Sequence, residues 1–201
     1  MNKRALFLPV LAVIVLASVP VVRAQGPPPL TVEDMLKLKR ISDPQFSPDG
    51  TRIAYVVTDV NLDGNSRRSQ IALIPPVSQQ LSTSGSRPRW SPDGRQLAYD
   101  TTDSNIVIYN VGSGALRNLR TLATGASGVT WSPDGTWIAF VSDVFPECNG
   151  NIVGEAACNE ALLKKQQAVK TKARVIDNLL FRHWTSWKEG RYSHLFVMPI
   201  D

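Results

Sequence analysis

One ten-residue pattern of apolar and polar positions occurs three times along the chain, at 46–55, 90–99 and 131–140. In each copy an aromatic residue precedes Ser-Pro-Asp-Gly, two variable residues follow, and an aliphatic residue, alanine and a second aromatic residue end the copy. Proline and aspartate favour the early positions of a turn, and glycine adopts the left-handed conformation that closes it. Each copy therefore predicts a β-hairpin turn and an exit strand with two apolar faces, Ile53 and Tyr55 on one and Ala54 on the other.

The spacing of the three copies predicts the architecture. Their glycines, Gly50, Gly94 and Gly135, are 44 and 41 residues apart. Repeats of roughly 40–45 residues that are rich in short strands are typical of β-propeller blades. Three unrelated surface turns are the alternative, but the copies agree in position, flanking residues and spacing. We therefore predict an all-β fold of the β-propeller type.

The predicted propeller is incomplete and contains about three four-stranded blades, the last one unfinished. The blades are expected at about 41–84, 85–125 and 126–201, and an insertion at 143–190 interrupts the third. A closed propeller needs at least four blades. We therefore expect this sequence to be the front part of a longer protein or a gene fragment.

Two helices and one long loop complete the predicted structure. Thr31 is expected to cap a short N-terminal helix, with Asp34 three residues further on. A second helix is predicted at about 159–171, inside the insertion, because apolar residues recur there at helical spacing. In the first blade, the polar residues 59–69 predict a loop before the third strand. The insertion either borders a binding site or a neighbouring domain, or only covers a blade edge, and both interpretations stay open.

The N-terminus has the features of a secretory signal peptide, predicted at 1–24. Lys3 and Arg4 precede an apolar run at 5–22, and Val-Arg-Ala at 22–24 matches the cleavage pattern. An uncleaved membrane anchor is the alternative, because about 18 apolar residues can just span a bilayer. A proline-rich linker follows at 25–30. We expect a secreted or periplasmic protein that meets the membrane only transiently, through the signal peptide.

Removal of the signal peptide also changes the charge. Lys3, Arg4 and Arg23 leave with it, so the formal charge falls from +5 to +2. The basic character of the whole sequence is therefore partly a property of the signal, and a nucleic-acid partner is not predicted.

The sequence has two cysteines, Cys148 and Cys158. An exported chain meets an oxidising compartment, so a disulfide between them is the default expectation and free thiols are the alternative. A metal site is disfavoured because no histidine or third cysteine lies nearby. The loop around Asp63 lacks the acidic ligands of a calcium loop. We predict neither a metal ion nor another cofactor.

No catalytic residue is predicted within these 201 residues. Gly112-Ser113-Gly114 does not have the spacing of the Gly-x-Ser-x-Gly nucleophile elbow, and its glycines suit a hairpin turn. His183 and His194 are interpreted as structural residues, because no serine nucleophile of that type precedes them.

Two stretches carry a resemblance to a known family. The first is Leu-Thr-Val-Glu-Asp-Met-Leu at 30–36 with Ile-Ser-Asp-Pro-Gln-Phe-Ser-Pro-Asp-Gly at 41–50. The second is Arg-His-Trp-Thr-Ser-Trp at 182–187 with Gly-Arg-Tyr-Ser-His-Leu-Phe-Val at 190–197. Both resemble the propeller of the prolyl oligopeptidase family, in its exported dipeptidyl peptidase and acylaminoacyl peptidase branch. The chain departs from that branch at Thr185, where an aspartate is usual.

The resemblance implies a function for a longer protein. In that family the propeller covers a C-terminal α/β-hydrolase domain and restricts cleavage to short peptides, and the catalytic serine, aspartate and histidine lie in the hydrolase domain. The implied partners are therefore that domain and short peptide substrates, and this chain alone would not be catalytic. The alternative is a non-catalytic, TolB-like binding propeller of the periplasm, because such propellers share the Ser-Pro-Asp-Gly repeats.

Overall fold

The computed structural model describes residues 26, 28–74, 79–81, 84–119, 123–148, 152–171, 173–176, 179 and 182–200. The predicted signal peptide lies outside the described residues. A short helix, α1 (Val32–Lys37), follows it. The Thr31 hydroxyl accepts a hydrogen bond from the Asp34 amide at 3.1 Å, and the Thr31 amide donates to the Asp34 carboxylate at 3.1 Å. This reciprocal pair satisfies donors that would otherwise be unpaired at the first turn of α1.

The first four strands form one antiparallel sheet in sequence order, which we call blade 1. They are β1 (Arg40–Phe46), β2 (Ile53–Asn61), β3 (Ser66–Ile74) and β4 (Gln79–Gln80). The predicted loop at 59–69 is wrong, because Asp59 pairs with Arg68 and Val60 with Arg67 in a long hairpin. Polar side chains are tolerated there because this end of the hairpin extends away from the buried part of the sheet.

Blade 2 repeats the arrangement with four antiparallel strands in sequence order. They are β5 (Ser86–Trp90), β6 (Gln96–Asp100), β7 (Ile106–Asn110) and β8 (Leu116–Asn118). Ser113 lies in the β7–β8 turn, where its amide donates to the Asn110 side chain at 2.9 Å. It therefore belongs to a hairpin and not to a strand-to-helix elbow.

The strands of blade 3 come from two separate parts of the chain. β9 (Ser127–Trp131) and β10 (Trp137–Val144) are followed by helix α2 (Ile152–Ala168). A two-stranded hairpin of β11 (Arg182–His183) and β12 (Ser186–Trp187) comes next, and β13 (Tyr192–Pro199) then pairs along the whole of β10. The strand order is β13-β10-β9, so the sheet contains strands from both sides of the insertion. Helix α2 begins earlier in the sequence than the predicted helix at 159–171.

The three Ser-Pro-Asp-Gly turns share their main hydrogen bonds, although Arg95 of the second turn has no hydroxyl and donates to the aspartate through its amide. In the third, the Ser132 hydroxyl donates to Asp134, and the Thr136 amide and hydroxyl donate to the same carboxylate at 3.1 and 2.7 Å. The Gly135 amide donates to the Ser132 carbonyl at 3.0 Å, and Gly135 has φ +74°, which suits glycine. Hydrogen bonds from Ser132, and then from Thr136, lower the pKa of Asp134 from 3.8 to about 2.

Neighbouring blades bury small residues against large ones. Ala54 on β2 is buried with Leu97 and Tyr99 of β6, and Ala98 on β6 is buried with Ile138 and Phe140 of β10. The alanines of the first two copies therefore face the next blade, while the aliphatic and aromatic residues of the second and third copies face the preceding one. The other face of blade 3 leaves Leu195 and Val197 exposed.

A tryptophan at the start of each later turn links its blade to the one before. The Trp90 indole donates to the Gln45 carbonyl of blade 1, and the Trp131 indole donates to the Arg89 carbonyl of blade 2, both at 3.0 Å. Blade 1 has Phe46 at the equivalent position, and this side chain is 68% exposed. The indole bonds fix the position of one blade on the next as well as holding them together.

The indole bond leads to a stability prediction for Trp131→Phe. We expect the free energy of unfolding to fall by about 1–2 kcal/mol, because the Arg89 carbonyl loses its donor and the ring becomes smaller. Denaturant unfolding measures the change. Trp137→Phe is the matched control, because Trp137 is 45% exposed and should change stability by less than about 0.5 kcal/mol. Equal losses in the two variants would contradict the proposed role of the indole.

The third turn leads to a pH prediction for Asp134→Asn. Because the pKa of Asp134 is lower in the folded protein than its usual value, the carboxylate stabilises the fold above about pH 4, and this contribution is lost as the pH falls through about 2. We expect the variant to be less stable than the wild type at pH 7, and the difference to shrink on acidification.

Thermal unfolding at a series of pH values measures the difference. Asp63→Asn is the control, because the described residues give Asp63 no hydrogen-bond partner. A difference for Asp134→Asn that stays constant down to pH 2 would exclude the carboxylate as its source.

Candidate functional site

The insertion of blade 3 is attached to the end of β10 by two contacts. A disulfide joins Cys148, just after β10, to Cys158 in α2, with the sulfur atoms 2.01 Å apart. Asn159 is fully buried, where its side chain accepts a hydrogen bond from the Phe145 amide at 2.9 Å and donates to the Glu155 carbonyl at 2.8 Å. Both contacts fall in the first half of α2, so this half is fixed to the end of β10.

A groove of about 900 Å³ lies beside the second half of α2, and we call it the insertion groove. Apolar side chains that line it include Leu163 of α2 together with Val169, Val175 and Ile176 from the chain that follows. Residues 187–193, from the end of β12 to the start of β13, also line it and carry most of its charged groups. The groove therefore lies on the rim of blade 3, on the segment that interrupts the repeat.

Two guanidinium groups share one carboxylate in the insertion groove. Glu189 accepts from Arg174 at 3.1 Å and lies 3.6 Å from Arg191. The Arg174 guanidinium also lies over the Trp187 ring, 4.4 Å from its centroid, which is a cation–π geometry. Although the Nε atom of Arg191 is buried, no acceptor in the described part of the chain reaches it.

The backbone places Glu189 in an unusual conformation. Glu189 has φ +53° and Gly190 has φ +77°, and the Arg191 amide closes the turn by donating to the Lys188 carbonyl at 2.9 Å. A left-handed glutamate costs of order 1 kcal/mol and persists only where surrounding contacts hold it. The two arginines provide those contacts, so the turn and the charge cluster depend on each other.

A second polar cluster lies next to the groove on the paired strands β10 and β13. The Ser193 hydroxyl donates to Asp143 at 2.5 Å, and Lys188 lies 3.4 Å from that hydroxyl and 3.8 Å from the Asp143 carboxylate. A serine nucleophile needs a neighbouring base that can take its proton. Here the serine proton points to a carboxylate that is paired with an ammonium group, so the cluster is a cross-strand link and not a catalytic dyad.

The residues that the sequence analysis considered as candidates lie in different parts of blade 3 and its insertion. Cys148 and Cys158 lie together at the base of the insertion. His194 is exposed on β13, with its ring 6.5 Å from that of Phe196, and the side chain of His183 lies outside the described residues. Thr185 is exposed in the β11–β12 turn, beside Trp184, which is 86% exposed. The aromatic segment at 182–187 therefore lies at the rim.

Sequence reasoning did not identify Arg174 or Glu189 as site residues. The signal available for Glu189 was Glu-Gly-Arg at 189–191, which fits a tight turn. Nothing local to Arg174 indicates that it contacts a turn fifteen residues further along the chain.

The described residues contain no group of three or more His, Cys, Asp or Glu side chains placed to share a metal ion. Neither helix in the described part of the chain combines the length and apolar character needed to cross a bilayer.

Comparison with known proteins identifies the fold. Pyrococcus horikoshii acylaminoacyl peptidase matches with a TM-score of 0.59 and 16% identity, over 82% of this chain and 23% of that chain. AtxE2 isopeptidase matches with a TM-score of 0.56 and 17% identity, over 88% and 31%. A segment of 42 residues is 43% identical to the uncharacterized peptidase YuxL of Bacillus subtilis, covering 21% of this chain and 6% of that protein. No family model matches.

These similarities concern the fold of a part of each relative. The chain spans less than a third of the length of these two structural relatives and 6% of the sequence relative. They confirm the predicted fold class, an incomplete all-β propeller. They also confirm, at the level of the fold, the expected resemblance to the propeller region of a prolyl oligopeptidase-family peptidase.

The disulfide leads to a prediction about the insertion. Reduction should weaken the attachment of the first half of α2 to β10 and leave the Asn159 hydrogen bond in place. The expected loss is about 3 kcal/mol in the chain-entropy model for so short a loop. We expect proteolysis within the insertion to become faster under reducing conditions while the blades stay protected. The double variant Cys148→Ser/Cys158→Ser is the control, because it should be cleaved equally fast with and without reductant. Identical cleavage of the wild type in both conditions would contradict this role.

Proposed function

We propose that this chain is the N-terminal propeller region of an exported serine peptidase, and that it limits access to a hydrolase domain encoded further along the same protein. The observation that carries the proposal is the fold match to two different peptidases, each over more than four fifths of this chain. The 42-residue similarity to a protein described as a peptidase supports it.

The chemistry of the proposed enzyme would lie outside these residues. Peptide hydrolysis by acyl transfer needs a serine nucleophile, a histidine as general base and an oxyanion hole. The sequence contains no Gly-x-Ser-x-Gly, and Ser193 is committed to Asp143. The contribution of this chain is a set of blades that excludes large substrates from the catalytic centre.

An exported location fits the covalent structure. A disulfide persists in an oxidising compartment such as the periplasm or the extracellular space. The bridge between Cys148 and Cys158, together with the signal pattern at 1–24, supports export of the protein.

A serine-directed fluorophosphonate tests the proposal on the product of the complete reading frame. We expect the full-length protein to be labelled, to be recovered from the exported fraction with Gln25 as its first residue, and to cleave short peptides but not folded proteins. Residues 25–201 alone should not be labelled, which locates the nucleophile downstream.

A full-length protein that takes no label and cleaves no peptide would contradict the peptidase proposal. Further blades in place of a hydrolase domain would then favour the non-catalytic, TolB-like binding propeller.

A further inference from the structure

Among the described residues, the charges that line the insertion groove do not balance. Arg174, Arg191 and Lys188 contribute three cations, while Glu189 is the one anion among the lining residues. Lys188 is compensated from outside the lining by Asp143 at 3.8 Å. Within the described part of the chain, two guanidinium groups are therefore left with a single carboxylate between them. A charged group that is partly removed from water is costly unless it is paired, so one further anion would be stabilised here.

The geometry of the two arginines suits a carboxylate in particular. A guanidinium presents a planar set of donors that matches the two oxygens of a carboxylate, and Glu189 uses only part of each set. Arg174 is held in place by the Trp187 ring on one side and by Glu189 on another. Little side-chain freedom remains to be lost when a second carboxylate binds, which favours affinity.

The lining also contains apolar side chains. Leu163, Val169, Val175 and Ile176 line the same groove as the arginines, and its volume of about 900 Å³ is large enough for a few amino-acid residues. A ligand that fits both kinds of side chain has a carboxylate at one end and apolar side chains next to it. An amine is disfavoured, because Glu189 is already paired with two cations.

We propose that the insertion groove binds the C-terminal carboxylate of a short peptide with apolar residues at its end. The inference rests on the proposed function in one respect, the choice of a peptide as the substrate class. Arg191 and Arg174 hold the carboxylate, Glu189 positions both guanidinium groups, and the apolar side chains of the groove contact the terminal side chains of the peptide. The groove then selects substrates by their free end while cleavage occurs elsewhere in the protein.

The test compares matched peptides on the full-length protein. N-acetylated peptides of three to five residues ending in leucine are prepared as the free acid and as the C-terminal amide. We expect amidation to raise KM about tenfold or more and to change kcat by less than about twofold, because a charge-assisted hydrogen bond is lost from binding only.

Variants then assign the effect to the groove. Arg191→Gln should abolish the preference for the acid, and Arg191→Lys should keep part of it, because the charge remains and the fork geometry does not. Arg67→Gln on β3 removes one positive charge far from the groove and should keep the full preference. Equal KM values for acid and amide in the wild type would overturn the proposal without need of any variant.

A binding measurement separates this proposal from the peptidase function. Calorimetric titration of the full-length protein, inactivated with the phosphonate, uses the same acid and amide peptides. Stronger binding of the acid supports the carboxylate site even if no hydrolysis is found, and in that case only the peptidase function fails. Equal binding of the two forms, with hydrolysis intact, overturns the site and leaves the peptidase function standing.

Discussion

The structure depends on the burial of a small residue on one blade against large residues on the next. A short sheet with two apolar faces cannot cover itself, so each blade needs a neighbour on both sides. Ala54 and Ala98 are fully buried because Leu97, Tyr99, Ile138 and Phe140 lie against them. A larger residue at either alanine would hold the sheets apart, while a smaller aromatic partner would leave a cavity. The ten-residue repeat therefore encodes both the strand and the surface that receives the next one.

Polar contacts then make this stacking specific. The indoles of Trp90 and Trp131 each meet one backbone carbonyl, so the blades have a single relative position along the strand direction. Asp100 strengthens the second junction, since its carboxylate accepts from the Arg87 side chain at 2.6 Å and from the Gly128 amide at 2.8 Å. Apolar burial alone would tolerate a shift of one sheet across another, and these bonds do not.

The sequence predicted those structural features that depend on neighbouring residues along the chain. Three turns, their exit strands and the cap of α1 follow from residue types at fixed spacings, and the structure contains each of them. It did not predict the extent of the β2–β3 hairpin, because Arg67 and Arg68 have the composition of a loop although their backbone is paired. Nor did it predict the early start of α2, where Gly154 disfavours a helix but the disulfide and Asn159 hold one in place. The sequence did not predict the insertion groove, because Arg174 and Glu189 are fifteen residues apart along the chain and come into contact only in the folded protein.

Each indole bond runs from one blade to the blade before it, and blade 1 has Phe46 where the later blades have tryptophan. A phenyl ring has no N–H, so Phe46 offers no donor to the carbonyl of a sheet placed before it. At this position such a sheet would be held by dispersion and desolvation, forces that tolerate sliding and separation. The junction in front of blade 1 would thus be softer than the two behind it, and a ring built from these units would open first at that joint.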